Sequence, residues 1–588
     1  MWSFRRFNEG FWIGYVALLL TATITAFITA WIAGGLTPLL SRIALTAGCL
    51  AATGTIVANA RGSGWLCDKD GPQGEHWLLR WGIWTAYSLF AFRAFIWLIF
   101  DRRGELCVLS PNNMGDLPLH IQYIELLAQG APLWPTNPIL VHSTIGYPFG
   151  VDFFNSLLVA AGVDLWRGLI GLGVIGAFAA GIALFHWGRV FGMAGFLFNG
   201  GFIGLMFFST WHVEDFTQTV DWKSIPLSIF VTQRGFLYAL PAGLLLLTHW
   251  RRIYGQTEST EGRRLPFVLE WLIYATIPLF HLHSFLFLSA VLGVLAVFGR
   301  NRRRAWLVIG ASVVPATTLV WLLTDGFQAG SHLEWLPGWM QGSRPWLKYW
   351  LDNFGIFPPL AVALAAIITL RLRKSAQRRA ALEAGLFVMP ALAVFTATLF
   401  VKFSPWEWDN TKLMMWAYLT ILPFLWRDLV SRQHEIVRIA ICVLLFGSGF
   451  PSLLAGIGSE FKGYRLVSHA EVADVGAAIQ QIPIMAVFAT APDYKHPLVF
   501  NGRRLALAYH GHMIGHGLDY ELQKNVMDEL MLGGPRWREA AAALDVSYIF
   551  WGLEERRRWQ QSTRPWALPG NLIASGRWGE IYRVKGER

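Results

Sequence analysis

The sequence is poor in charge, in cysteine and in nucleotide-binding signals. Asp, Glu, Lys and Arg make up 15% of the 588 residues, against roughly 25% in soluble domains, which argues against a soluble protein. The four cysteines, Cys49, Cys67, Cys107 and Cys442, have no metal-ligand spacing and argue against a disulfide framework. No glycine-rich phosphate loop stands between a strand and a helix, which argues against ATP or a nucleotide sugar as a direct donor.

Hydrophobic residues, by contrast, are abundant at 54%, and the mean hydropathy is +0.41. They gather into runs near the roughly 20 residues that a helix needs to cross a bilayer. We therefore predict about 13 transmembrane helices, near 11–33, 37–58, 78–100, 166–187, 191–208, 228–250, 266–282, 284–298, 305–323, 354–371, 382–400, 412–426 and 435–455.

Arginine-rich loops indicate the orientation of these helices. The net charge is 49 − 38 = +11, and the positive-inside rule explains the excess without a nucleic-acid partner. Three basic loops fall on the side of the basic N-terminus: Arg251 to Arg264, Arg300 to Arg304 and Arg371 to Arg379. The sequence therefore predicts a multi-pass protein of the cytoplasmic (inner) membrane, with residues 101–165 and everything after about 456 extracytoplasmic.

The pattern of residues changes near 456. Alternating strand-like and helix-like runs follow, which are typical of a small α/β domain. The predicted fold is an all-α polytopic membrane protein with a small C-terminal extracytoplasmic α/β domain. Residues 1–77 form an extra N-terminal transmembrane helix pair, residues 78–455 form the core with the large outer loop 101–165, and residues 456–588 form the outer domain.

Asp116 and His120 are the first candidates for chemistry, because polar groups at a membrane surface are expensive to keep near lipid. A carboxylate there could act as a general base, with His120 orienting it. The simpler interpretation is a helix N-cap beside a solvated histidine. Asp152 follows in a second short helix, predicted over 151–161, whose apolar face suggests that it lies along the membrane interface.

A second acidic loop contains Glu214 and Asp215. Their carboxylates could coordinate a divalent cation, although the simpler interpretation is a solvated acidic loop. A metal held by Asp116, Glu214 and Asp215 stays an open alternative, and the sequence predicts no other cofactor.

Further polar residues lie inside or beside apolar runs. Arg234 falls inside a predicted span and needs a counter-ion or an anionic ligand such as a lipid phosphate. His281 and His283 are two apart, so they do not share a helix face as a zinc pair would. They could bind a phosphate or a sugar, or they could be buried and bonded to neighbours.

Aromatic and basic residues mark two more outer segments. Trp408, Asp409 and Lys412 could stack on a sugar and pair with a phosphate, and an interfacial aromatic belt explains the tryptophan alone. Arg503 and His516 flank a glycine-rich loop that could approach a ligand closely.

Taken in order, these motifs resemble bacterial integral-membrane glycosyltransferases of the GT-C fold. The resemblance extends from about residue 78 onward. It is carried by Met114-Gly115-Asp116-Leu117-Pro118-Leu119-His120, Tyr147-Pro148-Phe149, Gln233-Arg234-Gly235, Pro278-Leu279-Phe280-His281-Leu282-His283-Ser284, Trp406-Glu407-Trp408-Asp409-Asn410-Thr411-Lys412 and the stretch from Gly502 to Gly517.

The resemblance implies a polyprenyl-phosphate-linked hexose or pentose as donor, with its lipid tail in the bilayer, and Asp116 as catalytic base or metal ligand. Donor phosphate and sugar would be held by Arg234, His281, His283, Trp408, Asp409 and Lys412. The acceptor (protein, lipid or polysaccharide) stays open. The alternative function is a transporter or flippase of lipid-linked sugars, which intramembrane Arg234 favours.

Overall fold

The computed structural model describes residues 4–61, 76–255, 264–327, 333–338, 340–458 and 462–584, so Cys67 and Arg263 lie outside the described residues. Its body is helical. The helices are α1 Phe4–Ala33, α2 Pro38–Arg61, α3 Trp77–Ile96, α4 Asn113–Ala128, α5 Gly150–Ala160, α6 Leu165–Leu197, α7 Phe207–Thr210, α8 Phe236–Tyr254, α9 Phe267–Phe280, α10 Leu282–Phe298, α11 Arg302–Leu323, α12 Trp346–Phe354, α13 Phe357–Leu372, α14 Arg378–Ala397, α15 Asn410–Asp428, α16 Glu435–Phe446 and α17 Gly449–Gly458.

The chain is a multi-pass membrane protein, but thirteen full spans are not seen in its described part. Six helices are long and apolar enough to cross a bilayer, and the number rises to eight if each of two bent helix pairs is one span. The pairs are α12 with α13, bent by 85°, and α16 with α17, bent by 48°. Helices α9 and α10 have only 14 and 17 residues, short of the roughly 20 that a bilayer needs.

Two predicted spans have different bounds in the structure. Helix α6 breaks at Arg189, whose φ of 55° and ψ of −149° are not helical. Beyond that break the chain is helical only to Leu197, so the predicted span 191–208 is wrong. The span predicted over 228–250 is also divided, because a π-helix covers Ile225–Phe230 and α8 begins only at Phe236. Arg234 therefore lies in the turn before α8, not inside a span.

The N-terminal helix α1 is built into the body. The Trp12 indole donates to the carbonyl of Pro241 at 2.9 Å, and the Tyr15 hydroxyl donates to that of Leu237 at 3.0 Å. Both acceptors lie on α8, so α1 is fixed against the helix that follows Arg234.

A small sheet joins the first large loop to the C-terminal part of the chain. Strands β1 Phe100–Arg102 and β2 Glu105–Val108 form a hairpin, and β2 pairs antiparallel with β5 Tyr464–Ser468. Between them in sequence come the short strands β3 Glu334–Trp335 and β4 Val401–Lys402, which pair with each other. Arg102 in this hairpin donates to the carbonyl of Lys462 at 2.8 Å.

Beyond β5 lies a C-terminal region with the predicted alternation of strands and helices. Its elements are α18 His469–Ala478, β6 Val487–Ala489, α19 Pro497–Phe500, β7 Arg504–Leu505, α20 His510–Gly515, α21 Glu521–Leu532, α22 Trp537–Ala543, β8 Tyr548–Gly552, α23 Leu553–Arg558, β9 Leu572–Gly576 and β10 Gly579–Arg583. The five-stranded sheet has the order β7-β6-β8-β10-β9, parallel around β6 and antiparallel around β10.

Candidate active site

Asp116 lies in the first turn of α4, but it does not cap the helix. The N-cap residue is Asn112, so the helix-cap interpretation of Asp116 is wrong. Burial raises the pKa of the Asp116 carboxyl above its ordinary value, while the charges of His120 and Lys412 oppose the rise. No ion pair or hydrogen bond from the described residues engages this carboxylate.

His120 lies one turn further along α4 and is paired with Asp152. Its Nδ1 lies 2.7 Å from the Asp152 carboxylate, and both side chains are buried. Because a carboxylate only accepts, the Nδ1–H group is the donor in this contact. Helix α5, which carries Asp152, packs its N-terminal residues into the body.

The other oxygen of Asp152 faces Arg234. The guanidinium Nε lies 3.8 Å from that oxygen, and Arg234 is 2% exposed. The counter-ion predicted for this arginine is therefore Asp152. No described hydrogen-bond partner engages any of the three guanidinium nitrogens, which keeps donors available for an anion.

Two glycines allow the α9–α10 junction to approach these charges. A Cβ on Gly235 would stand 2.2 Å from the carbonyl oxygen of Phe280, and one on Gly150 would stand 2.7 Å from the Phe280 ring. Asp152 follows Gly150 by two residues and Arg234 precedes Gly235. Because neither glycine has a side chain, α5 and the turn before α8 can pack closely against the α9–α10 junction.

His281 forms that junction and caps α10. Its Nδ1 accepts from the backbone N–H of Ser284 at 3.1 Å and from the Ser284 hydroxyl at 2.8 Å. The Trp416 indole donates to that hydroxyl at 2.7 Å, which leaves the hydroxyl proton for His281. His281 is thus buried and bonded to its neighbours, and the His283 ring lies 5.7 Å from it.

Asp409 and Lys412 form a second charged pair at the start of α15. The ammonium lies 2.8 Å from the carboxylate, and the Ser404 hydroxyl donates to the other oxygen at 3.1 Å. Burial opposes ionisation, yet Lys412 and His283 outweigh it and lower the pKa of Asp409. The ammonium also lies 5.9 Å from the Trp408 ring.

The C-terminal region covers this site with two histidines. The His512 Nε2–H donates to the carbonyl of Gly115 at 2.9 Å, next to Asp116. The His516 ring stacks on Tyr147 at 5.0 Å, and the Tyr147 hydroxyl reaches Gln233 at 3.4 Å. Burial lowers the pKa of His512 to about 4 and that of His516 to about 3, so both rings are neutral near pH 7.

These side chains form one group, which we call the polar cluster. Asp116 interacts electrostatically with His120, Lys412 and Asp409, and His516 interacts with the last two and with His120. His283 interacts with Asp409 and Lys412. The cluster comprises Asp116, His120, Asp152, Arg234, His281, His283, Asp409, Lys412 and His516. Sequence reasoning missed the contacts of Tyr147 and His512, although the Tyr147-Pro148 pair and the spacing of His512 before His516 were visible.

Two further candidates have local partners, and a third, Glu214, is exposed. The Asp215 carboxylate caps a short 3-10 helix by accepting from the backbone N–H of Thr217 at 3.1 Å, and it also accepts from the Thr217 hydroxyl at 2.6 Å. Arg503 donates to the carbonyls of Ile479 and Ile482, at the end of α18. Across the described ranges, no group of three or more His, Cys, Asp or Glu side chains could hold a metal ion.

No protein-family model matches the sequence, and no curated protein matches it. Among solved structures, the chain is similar to the archaeal oligosaccharyltransferase AglB from Archaeoglobus fulgidus. The complex with an inhibitory peptide and a dolichol-phosphate has a TM-score of 0.45 and 11% identity, over 81% of this chain and 70% of that chain. The apo form has the same values, and the form tethered to an acceptor peptide with the NVT sequon has a TM-score of 0.43 with the same identity and coverage.

Proposed function

We propose that this protein is a membrane glycosyltransferase that transfers a sugar from a polyprenyl-phosphate-linked donor to an acceptor. The observation that carries the proposal is the unpaired Asp116 carboxylate inside a cluster whose other carboxylates are paired. Asp152 is bonded to His120 and faces Arg234, and Asp409 is bonded to Lys412. One carboxylate is therefore free to accept a proton, beside fixed positive charge.

In this proposal Asp116 removes the proton from the acceptor's hydroxyl or amide as the new glycosidic bond forms. Asp152 holds the His120 ring in place by accepting from its Nδ1–H group. The His120–Asp152 pair thus acts on the base through its charge, since the described contacts include no hydrogen bond between His120 and Asp116.

Lys412 interacts electrostatically with Asp116, and Arg234 faces Asp152 with guanidinium nitrogens that have no described hydrogen-bond partner. As the bond from sugar to phosphate breaks, negative charge grows on the phosphate that leaves. Cations and imidazole N–H groups fixed beforehand stabilise that charge more in the transition state than in the ground state. We assign this role to Lys412, Arg234, His281 and His283.

We further propose that the face carrying the C-terminal region is extracytoplasmic, with residues 456–588 as an outer domain and residues 1–77 as an added helix pair. The membrane is the cytoplasmic one. The basic residues at the far ends of α8 and α13, Arg251, Arg252 and Arg371, support this orientation. No step is assigned to a metal ion, because the carboxylates of Asp116 and of the Glu214 loop do not form a ligand group in the described chain.

The test is sugar transfer, or slow donor hydrolysis, by purified protein with a panel of polyprenyl-phosphate sugars. We expect Asp116→Asn to lower turnover by about 100-fold or more, the scale of general-base catalysis. The control is Asp101→Asn, since Asp101 is half exposed in the hairpin, and it should retain turnover. The raised pKa of Asp116 means that wild-type activity falls, as pH drops, at a higher pH than for an ordinary carboxyl.

Equal turnover in Asp116→Asn and wild type would remove Asp116 as the base. The alternative function has its own signature. Movement of the lipid-linked sugar across proteoliposome membranes, without turnover of any donor, would replace the enzyme by a transporter.

A further inference from the structure

A cavity of about 550 Å³ lies beside the polar cluster and has no part in the mechanism above. It falls within the roughly 300–1,000 Å³ of small-molecule sites. Its walls include Asp221, Gln341, Ser343, Arg344, Trp406 and Trp408. Gly342 and Ser343 are exposed on its rim, so the cavity is open on that side.

One wall is made by two tryptophans. Trp406 is 40% exposed and lines the cavity, so its ring is accessible to a ligand there. The Trp408 ring lines the cavity and also lies 5.9 Å from the Lys412 ammonium. The cavity and the polar cluster therefore share a wall, and a molecule in the cavity lies next to the reacting groups.

The opposite wall is polar but electrically neutral. The Arg344 guanidinium pairs with the Asp221 carboxylate and also donates to the carbonyl of Met340. It lies 4.7 Å from the Tyr349 ring, which fixes the segment further. Arg344 and Asp221 are the only charged side chains among the described lining residues, and they neutralise each other. Such a wall suits hydroxyl groups better than a phosphate or a carboxylate.

We propose that this cavity binds an uncharged saccharide, with a sugar face against Trp406 and Trp408 and its hydroxyls toward Ser343 and the Asp221–Arg344 pair. The saccharide is a part of the donor beyond its phosphate or a part of the acceptor. This assignment to donor or acceptor rests on the proposed function; the binding itself does not. Pockets with aromatic walls and a few fixed polar groups select ligands of this mixed character.

The experiment is equilibrium dialysis of detergent-purified protein against radiolabelled ligands of two kinds. One arm uses lipid-free hexose and pentose oligosaccharides, and the other uses polyprenyl-phosphate monosaccharides. We expect Trp406→Ala to weaken binding about tenfold, in line with the loss of one aromatic stacking contact, and Trp406→Phe to keep most of it. Ser343→Phe, which fills the cavity from the other wall, should have the same effect as Trp406→Ala.

The matched control is Trp211→Ala, because Trp211 is 73% exposed and does not line the cavity. An effect confined to the lipid-free arm makes the acceptor the source of the saccharide, and one confined to the lipid-linked arm makes it the donor. No binding by wild type in either arm, or equal binding by all variants, would overturn the proposal. Saccharide binding that survives in a protein without transferase activity would overturn the proposed function alone.

Discussion

The Asp152 carboxylate interacts with two buried side chains, His120 and Arg234. One oxygen accepts a hydrogen bond from His120 Nδ1, and the other faces the Arg234 guanidinium. Removing one partner of a buried ion pair leaves the other charge in a medium that cannot solvate it. The stability of this part of the body therefore depends on one carboxylate.

We expect Asp152→Asn to lower the free energy of unfolding by about 3 kcal/mol, because Arg234 then lacks its counter-ion. Thermal unfolding in detergent, followed by tryptophan fluorescence, measures the loss. The double variant Asp152→Asn with Arg234→Gln should recover part of it. Asp164→Asn is the control, since Asp164 is exposed and caps α6, and asparagine caps nearly as well. Identical losses in the single and double variants would contradict the pairing.

Glu555 is a second buried carboxylate, in the C-terminal region. It accepts from the Thr490 hydroxyl at 2.6 Å and from the backbone N–H groups of Ala491 at 2.7 Å and Gly552 at 2.8 Å. Burial alone would raise its pKa, but the His496 contact and these hydrogen bonds lower it from 4.5 to about 2. A lowered carboxyl pKa adds stability above the unfolded value, and that stability is lost as pH falls toward the folded value.

We therefore expect the C-terminal region to lose stability between about pH 4.5 and pH 2, and Glu555→Gln to flatten that part of the pH profile. Chemical denaturation followed by circular dichroism at several pH values checks this. The neighbouring Glu554→Gln serves as control because Glu554 is about half exposed. A Glu555→Gln profile as steep as that of wild type would exclude this carboxylate as the origin.

At the level of single residues the sequence predicted the members of the cluster better than their contacts. The stretch from Asp116 to His120 could be chosen because charge is rare in this chain. The pairing of His120 with Asp152 could not, because 32 residues separate them and many folds would leave them apart. The simple interpretation of His281 as a bonded, buried histidine was correct.

At the scale of elements, the packing of the α9–α10 junction against the turn before α8 depends on a glycine. Gly235 precedes α8, and a methyl group there would meet the carbonyl of Phe280 at 2.2 Å. We expect Gly235→Ala to cost about 1–3 kcal/mol of stability, the usual range for overpacking, and to lower turnover by displacing His281. Unfolding and donor hydrolysis are measured together.

Gly293→Ala is the control for that change. Gly293 lies in α10, where an added methyl group meets nothing within 4 Å, and alanine in place of an open helical glycine stabilises by up to about 1 kcal/mol. Wild-type stability in Gly235→Ala would mean that the junction can shift without loss.

Helix existence was easier to predict than helix ends. Long apolar runs predicted the ends of α1 and α11 to the residue and the start of α2 to within one, because hydrophobicity decides them. The other ends differ, since α1 is already helical at Phe4, seven residues before its predicted start. The break at Arg189 and the π-helix before Arg234 had no signal in the sequence, since both depend on packing against other helices. The hairpin β1–β2 was missed because a strand of three or four residues shows no periodicity.

For the whole molecule, the proposed orientation makes a prediction about labelling. In a variant without native cysteines, Ser575→Cys in β9 and Ser375→Cys after α13 place exposed thiols at the two ends of the body. A membrane-impermeant maleimide should label residue 575 in cells with a permeabilised outer barrier and residue 375 only after the inner membrane is broken. The reverse labelling pattern would mean that the protein has the opposite orientation in the membrane.

The pairing of β2 with β5 also bears on how the protein is made. Glu105 and Arg465 meet across 360 residues of chain, so the first large loop is synthesised long before the strand that completes its sheet. At roughly 5–20 residues per second, the interval is on the order of 20–70 s. During that time the hairpin edge is unpaired while α6, α11, α14 and α15, four of the six described helices long enough to cross a bilayer, are made and inserted. Assembly of the site is therefore one of the last events of biogenesis. A chain whose synthesis stops before residue 464 lacks the C-terminal region that contacts α4 beside Asp116.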